Sequence, residues 1–228
     1  MLKMEDIIGL EIVTSDARIV GTVEGVALDI ENWYIPALRI SVKKGLEDAV
    51  GVKKPLFSSA KILLKTDKVE SVSDTITLSV PINGIKDALL DEEMTVTTAA
   101  DIVGKRVICR KARQIGFANN IIFSPERKWS IPFVEVKLDK EAIDYLKVKK
   151  SLLSTPLIKI QTSDIKTIGD MIILKIDAEE LKDYLEMKPR KAEAAASKDT
   201  SAEGLSKSRE DSGAGLKQGE SPDYKPRL

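Results

Sequence analysis

The segment Trp33-Tyr34-Ile35-Pro36 returns 96 residues later as Trp129-Ser130-Ile131-Pro132-Phe133, and that recurrence governs how the rest of the chain is read. Trp33–Val80 aligns onto Trp129–Ile176 without a gap, with 15 identities in 48 positions. Val52-Lys53-Lys54 matches Val148-Lys149-Lys150, while Leu56, Asp74 and Leu78 match Leu152, Asp170 and Leu174. Upstream the offset is 95, so Asp6-Ile7-Ile8-Gly9 returns as Asp101-Ile102-Val103-Gly104, and Ala17-Arg18 with Gly21 returns as Ala112-Arg113 with Gly116. Solenoid repeats have periods of roughly 20 to 50 residues, so this longer period means two copies of a whole domain. The chain divides into residues 1–94, residues 95–187 and a remainder, 188–228.

Within a copy the apolar period is two. Ile19-Val20-Gly21-Thr22-Val23, Leu38-Arg39-Ile40-Ser41-Val42, Val69-Glu70-Ser71-Val72 and Thr75–Val80 alternate or are β-branched, with Gly, Asp and Ser between them, and they predict short strands. Val107-Ile108, Phe133–Val136, Ile158–Ile160, Ile165–Ile168 and Met171–Ile176 are their counterparts. About six short strands per copy suggest a small barrel that closes its own edges. Helix is expected only in short pieces, at Ile82–Leu90 and Ala178–Leu185. Residues 188–228 contain no Ile, Val, Phe, Met or Trp, too little to offset the entropy of ordering, and are expected to be a disordered tail.

Several chemistries are excluded or left without support. With no histidine, imidazole-based acid–base catalysis, Ser-His-Asp triads and imidazole metal sites are absent. The single Cys109 can form neither an internal disulfide nor a paired-cysteine metal clip. No Gly-rich phosphate loop of the GxxxxGK[ST] or GxGxxG type occurs. The expectation is a protein that is not an enzyme and takes no cofactor or metal. No run approaches a membrane span and the opening residues lack a signal-peptide pattern, which predicts a cytoplasmic protein. The chain has 36 basic and 36 acidic side chains, which disfavours nucleic acid as a partner. Residues 1–94 carry −5, residues 95–187 carry +3 and the remainder +2, so the copies are expected to pack as a pseudo-twofold pair, acidic against basic.

Asp6-Ile7-Ile8-Gly9, then Ile19–Val23, then Val26-Ala27-Leu28-Asp29 resembles the PRC-barrel domain, and Asp101–Gly104 with Gln114–Ala118 repeats the outline. The resemblance covers about residues 4–90 and 99–186. It implies an all-β protein: two tandem small PRC-type β-barrels with short helical pieces, followed by the tail. Ala17 and Ala112 stand where the family's first turn usually has Gly; Ala disfavours positive φ, so that loop is expected to adopt another geometry. Members of the family are non-catalytic modules of photosynthetic reaction centres, of the RimM ribosome-maturation factor, and of archaeal FtsZ-based cell division. A protein made only of such barrels looks most like the division group. That implies an adaptor binding a SepF-like membrane-anchor protein, with another PRC-barrel protein or a second copy of itself as a further partner, and recruitment to the division site at the membrane. The alternative is a RimM-like assembly factor binding ribosomal protein or rRNA.

The candidate partner-binding residues are the aromatic segments and the shared lysine pairs. Trp33, Tyr34, Ile35 and Pro36, with Trp129, Ile131, Pro132 and Phe133, are expected just before a strand, because Pro is poorly tolerated inside one. They serve either as interface anchors or as caps on the open ends of their own barrels. Lys53 and Lys54, with Lys149 and Lys150, either clamp an acidic partner or form a solvated loop that pins its neighbouring Leu. Asp74 and Asp170 are expected to shape turns, and Cys109 to be a small buried hydrophobe.

Overall fold

A computed structural model describes residues 1–53, 58–90, 97–148 and 155–186, all within one compact unit, Met1–Pro189. The expected tail lies outside the described residues, and each strand expected from the period-two pattern is present, with further short strands that the pattern did not show.

The first copy contains β1 (Leu2–Lys3), β2 (Glu11–Val13), β3 (Ile19–Asp29), β4 (Tyr34–Val42), β5 (Lys61–Lys65), β6 (Val69–Val72) and β7 (Thr75–Leu78), with α1 (Met4–Ile7) and α2 (Glu47–Val50). The second contains β8 (Thr97–Thr98), β9 (Arg106–Ile108), β10 (Gln114–Ser124), β11 (Ser130–Leu138), β12 (Leu157–Gln161), β13 (Ile165–Ile168) and β14 (Met171–Leu174), with α3 (Lys140–Leu146) and α4 (Leu181–Glu186). In the first, the pairing order is β6-β7-β2-β3-β4-β5; in the second, β13-β14-β9-β10-β11-β12. Registers repeat too: Gly21 faces Val42 as Gly116 faces Leu138, and the parallel pair Ile12–Ile76 returns as Val107–Ile172. The result is shown to be mostly strand, with a few short helices.

Alternation decides which way each strand faces. In β5, Ile62 and Leu64 are buried between half-buried or exposed neighbours; in β12, Ile158 and Ile160 take the matching places. Each curled sheet brings its long strands into close crossing at a glycine. A Cβ on Gly21 would lie 2.0 Å from the Ser41 carbonyl oxygen, and one on Gly116 2.0 Å from that of Lys137. A 3-10 turn, Thr66–Lys68 in one copy and Thr162–Asp164 in the other, joins the strands at the two ends of each pairing order. Its first residue is buried, and its hydroxyl donates to the carbonyl of Ile35 (2.7 Å) or Ile131 (2.8 Å).

Three expectations need correction. Tyr34, Ile35 and Pro36 lie inside β4, and Ile131, Pro132 and Phe133 inside β11, not before a strand. Pro is accepted there because the β3–β4 register shifts between Ala27 and Asp29, with a matching shift between Ile122 and Ser124, so no ladder bond is lost. Ala17 and Ala112 do take the left-handed conformation, φ 58° and 60°. Ala17 N donates to Thr14 O and Ala112 N to Cys109 O, and these hairpin bonds hold an Ala where Gly would be unstrained. Helix α3 was not expected, although Asp139 caps it by accepting from Ala142 N at 2.7 Å, and Ala142, Ile143 and Leu146 face the core. Ile82–Ala88 forms a 3-10 helix, and α4 occupies the second expected position.

Candidate functional site

The Trp-x-Ile-Pro segments meet each other. Ile35 N donates to Trp129 O (3.0 Å) and Ile131 N donates to Trp33 O (2.7 Å), with Tyr34 and Ser130 paired between them. Each position bonds its own repeat-equivalent's neighbour, which is the signature of a pseudo-twofold axis. Trp33 and Trp129 both reach these bonds from left-handed backbone, φ 54° and 57°. A non-Gly residue in that region stores roughly 1 to 3 kcal/mol, maintained here by bonds on both sides: the Ile35 and Ile131 carbonyls go to their own barrel's threonine and their N–H groups to the other copy.

A second exchange surrounds the first. β1 of copy one lies antiparallel on β10 of copy two, Leu2 opposite Phe123 and Lys3 opposite Ile122. β8 of copy two lies on β3 of copy one, Thr97 opposite Leu28 and Thr98 opposite Ala27. Each copy thus lends its leading strand to the other's longest strand. Ile7, Ile35, Ile102, Trp129 and Ile131 join one continuous core spanning both copies. Full burial of each Ile contributes roughly 1.5 to 3 kcal/mol, so the junction belongs to the fold.

This placement sorts the candidate residues. Ile35, Ile131 and Trp129 are buried within the chain, and Trp129 stacks on Phe123 of its own β10 with centroids 5.5 Å apart. Trp33, Pro36, Pro132 and Phe133 are half-buried, and Tyr34, 37% exposed, reaches solvent at the axis. Of the aromatic segments, the latter set remains open to an outside molecule. Lys53 is exposed, whereas Lys54, Lys149 and Lys150 lie outside the described residues. Cys109 is buried.

Charge at the junction differs from the expected acidic-against-basic packing. The ion pair between copies among the described residues runs from Lys3 of the acidic copy to Glu135 of the basic copy, 3.2 Å, with the Glu135 side chain nearly fully buried. Hydrogen bonding to Glu135 raises the Lys3 ammonium above its ordinary pKa. Asn119 Nδ2 donates to the same carboxylate at 2.8 Å, and the buried Asn120 Oδ1 accepts from Met4 N. The net charges of the copies do not set this contact; individual side chains do.

Away from the junction, Asp177 is buried with Arg110 Nη2 at 2.5 Å and Lys111 Nζ at 3.4 Å. The Arg110 guanidinium, then Lys111, holds its carboxyl below the usual range, and its Oδ1 has no partner among the described residues. Among those residues no cluster of three or more His, Cys, Asp or Glu is placed to hold a metal, and no helix is long and apolar enough to cross a membrane. The second copy carries a shallow open groove of about 530 Å³ between Val103 and Gly104 on one side and Lys137 and Leu138 on the other. Phe117, 45% exposed, forms one wall of it. This groove was missed in the sequence because Phe117 sits in an alternating strand, where nothing local tells inward from outward. Its signal lay in the repeat, since the matching position of copy one is Thr22.

Residues 1–82 match the family model described as the PRC-barrel domain. A search of curated proteins finds no match. Among solved structures, the chain is similar to a 16S ribosomal RNA processing protein, RimM, from Pseudomonas aeruginosa. The identity is 9%, over 69% of this chain and 98% of that one, with a TM-score of 0.25. The first copy is thus similar to a PRC-barrel domain over residues 1–82, and the described residues of 97–186 repeat its strand order and registers.

Proposed function

We propose that the chain is a non-enzymatic, protein-binding adaptor of archaeal-type, FtsZ-based cell division that binds a SepF-like membrane-anchor protein through its barrel surfaces. The observation that carries the binding part of this reading is the exposure of Phe117 and Leu157, at 45% and 46%, on neighbouring parts of a rigid sheet. Large apolar groups held on strands make a contact surface whose backbone is already ordered, so that ordering on binding costs only side-chain freedom. The division part draws on the PRC-barrel domain at residues 1–82 and on a described structure made of one such arrangement and its repeat. The aromatic segments act within this adaptor as the clasp between its copies, with Tyr34 the group they leave at the surface.

The test is affinity capture from the native organism with the full chain and with a chain ending at residue 187, followed by mass spectrometry. Recovery of a SepF-like protein together with FtsZ is the expected result. Recovery of ribosomal proteins in their place would overturn the division reading in favour of ribosome assembly.

A further inference from the structure

We propose that the outer sheet face of the second copy, centred on Phe117, docks an acidic peptide segment of a partner protein that carries an apolar anchor residue. The proposal rests on the adaptor reading and specifies which face is used and what it recognises.

The argument comes from reading one cross-strand row in both copies. In copy two, Met171, Arg106, Phe117, Lys137 and Leu157 are successive register partners across β14, β9, β10, β11 and β12. In copy one the same register partners are Thr75, Glu11, Thr22, Ser41 and Lys61. Directly paired residues share a face of the sheet, so the two rows are the same place on the same backbone. Copy one shows that the fold is satisfied there by small polar and charged side chains. Copy two replaces two threonines with Phe and Met, and a lysine with Leu. The adjoining pair on β14 and β9 shifts the same way, from Thr77 and Val13 to Ile173 and Ile108.

Charge moves together with hydrophobicity. Copy one's row holds one acid and one base, and its Lys61 is occupied by Glu24 at 2.7 Å. Copy two's row holds two cations, Arg106 and Lys137, both exposed and neither paired with a described carboxylate. The acids nearby are few. Asp139 caps α3, and the cleft on the other side of Phe117 holds Asp101, engaged by the Thr98 N–H and hydroxyl, and Asp170 beside Lys105 and Arg106. An aromatic wall and groove flanked by unpaired cations complements a segment that presents carboxylates on either side of an apolar side chain.

The experiment selects phage-displayed random peptides on the immobilised full chain. It counter-selects on a chain with four of the row's five residues exchanged for those of copy one: Arg106→Glu, Phe117→Thr, Lys137→Ser and Leu157→Lys. Each introduced residue already stands at the matching position of the same fold. Should the exchanged chain fail to fold, Phe117→Thr alone, checked by near-UV circular dichroism, carries the measurement. Enriched peptides are expected to be acidic around a Leu, Phe or Ile. The synthesised peptide should lose about tenfold or more in affinity to Phe117→Thr, and bind more weakly as salt rises. Enrichment of neutral or basic peptides, or equal binding to Phe117→Thr, would overturn the proposal. So would self-association of the wild type that the exchange abolishes, which assigns the face to a second copy, or tighter peptide binding by chain 1–187, which assigns it to residues 188–228. If the exchanged chain still captures the division proteins, the adaptor reading stands and the face falls. If selected peptides need Phe117 but capture returns no division protein, the face stands and the division reading falls.

Discussion

Where β1 lies on β10, Lys3 reaches the buried carboxylate of Glu135, and Asn120 accepts from the Met4 N–H. Where β8 lies on β3, the matching positions hold Thr98, Arg39 and Gly25, and Arg39 contributes only a distant Coulombic pull on Asp101. The backbone is the same in both arms. The Lys3 N–H donates to the Asp6 carboxylate at 2.7 Å, the Thr98 N–H to that of Asp101 at 2.7 Å, and both arms are paired over two residues. Backbone bonding and apolar burial therefore suffice to hold an arm, and the polar cluster at Glu135 is an addition to one side. In a symmetric pair of identical chains both arms would have to carry that addition; a covalent tandem is free of the constraint.

The largest effect expected from breaking the comparison is separation of the copies. Residues 1–94 and 95–187, produced together as two chains, are expected to co-purify as a one-to-one complex in size-exclusion chromatography with light scattering. Each alone should self-associate through the vacated arm site or aggregate. Two monomers that ignore one another would show the exchange to be dispensable.

Next come the paired tryptophans. Trp129→Ala removes a buried, stacked ring and is expected to destabilise by about 3 kcal/mol, whereas Trp33→Ala, half-buried, should cost about 1 to 2 kcal/mol, read from urea denaturation midpoints. Equal losses would mean the two sides of the axis are packed alike. A smaller contrast lies in the arms themselves. Lys3→Met leaves the Glu135 carboxylate with the Asn119 amide alone. Since the ammonium is one-third exposed, the loss should be about 2 kcal/mol, below that of fully buried pairs. Arg39→Met should change stability by less than about 0.5 kcal/mol.

Acid should weaken both copies. In copy one the Thr14 hydroxyl and the Ile82 N–H hold Asp16 below the usual carboxylate range, and Asn32 does the same for Asp29. In copy two Thr98 lowers Asp101, Arg110 lowers Asp177, and the Tyr145 hydroxyl lowers Glu179. A carboxyl depressed by folding contributes stability above its unfolded pKa and loses it as pH falls through the folded one. Stability should thus hold down to about pH 4 and decline below it. Asp177→Asn should flatten part of that decline. At the alkaline end, Glu179 raises the Tyr145 phenol, so that contact is complete below about pH 10 and lost above it. One small effect should be a gain. Ala17→Gly and Ala112→Gly should each stabilise by about 0.5 to 1 kcal/mol by relieving left-handed backbone, seen as a rise in Tm.

Much of the fold could be read from the sequence because each long strand carries its own alternation, and the repeat lets one copy check the other. What escaped has physical causes. β1 and β8 are two residues each, too short for any period to show, and their partners lie in the other copy. Pro36 and Pro132 were placed outside their strands because a bulge register depends on the partner strand. The αL alanines are held by hairpin bonds that no local propensity reveals. The Trp-x-Ile-Pro recurrence was legible as a shared feature, but its meaning was not. Two segments that bind each other leave the same pattern as two that bind a third party. Phe117 shows the converse, since the informative fact was a mismatch between copies, not a match.

The crossed arms also govern when the chain can finish folding. Leu28 finds its partner at Thr97 as copy two begins, but Leu2 has none until Phe123, so the leading strand of copy one stays unpaired until copy two has been synthesised through β10. At roughly 5 to 20 residues per second that wait lasts several seconds, and until it ends the exposed edges of β3 and β10 can accept an arm from a neighbouring nascent chain. Tethering both copies on one polypeptide keeps the proper arm at high effective concentration, which makes the fusion a device for fidelity of assembly as well as for stability.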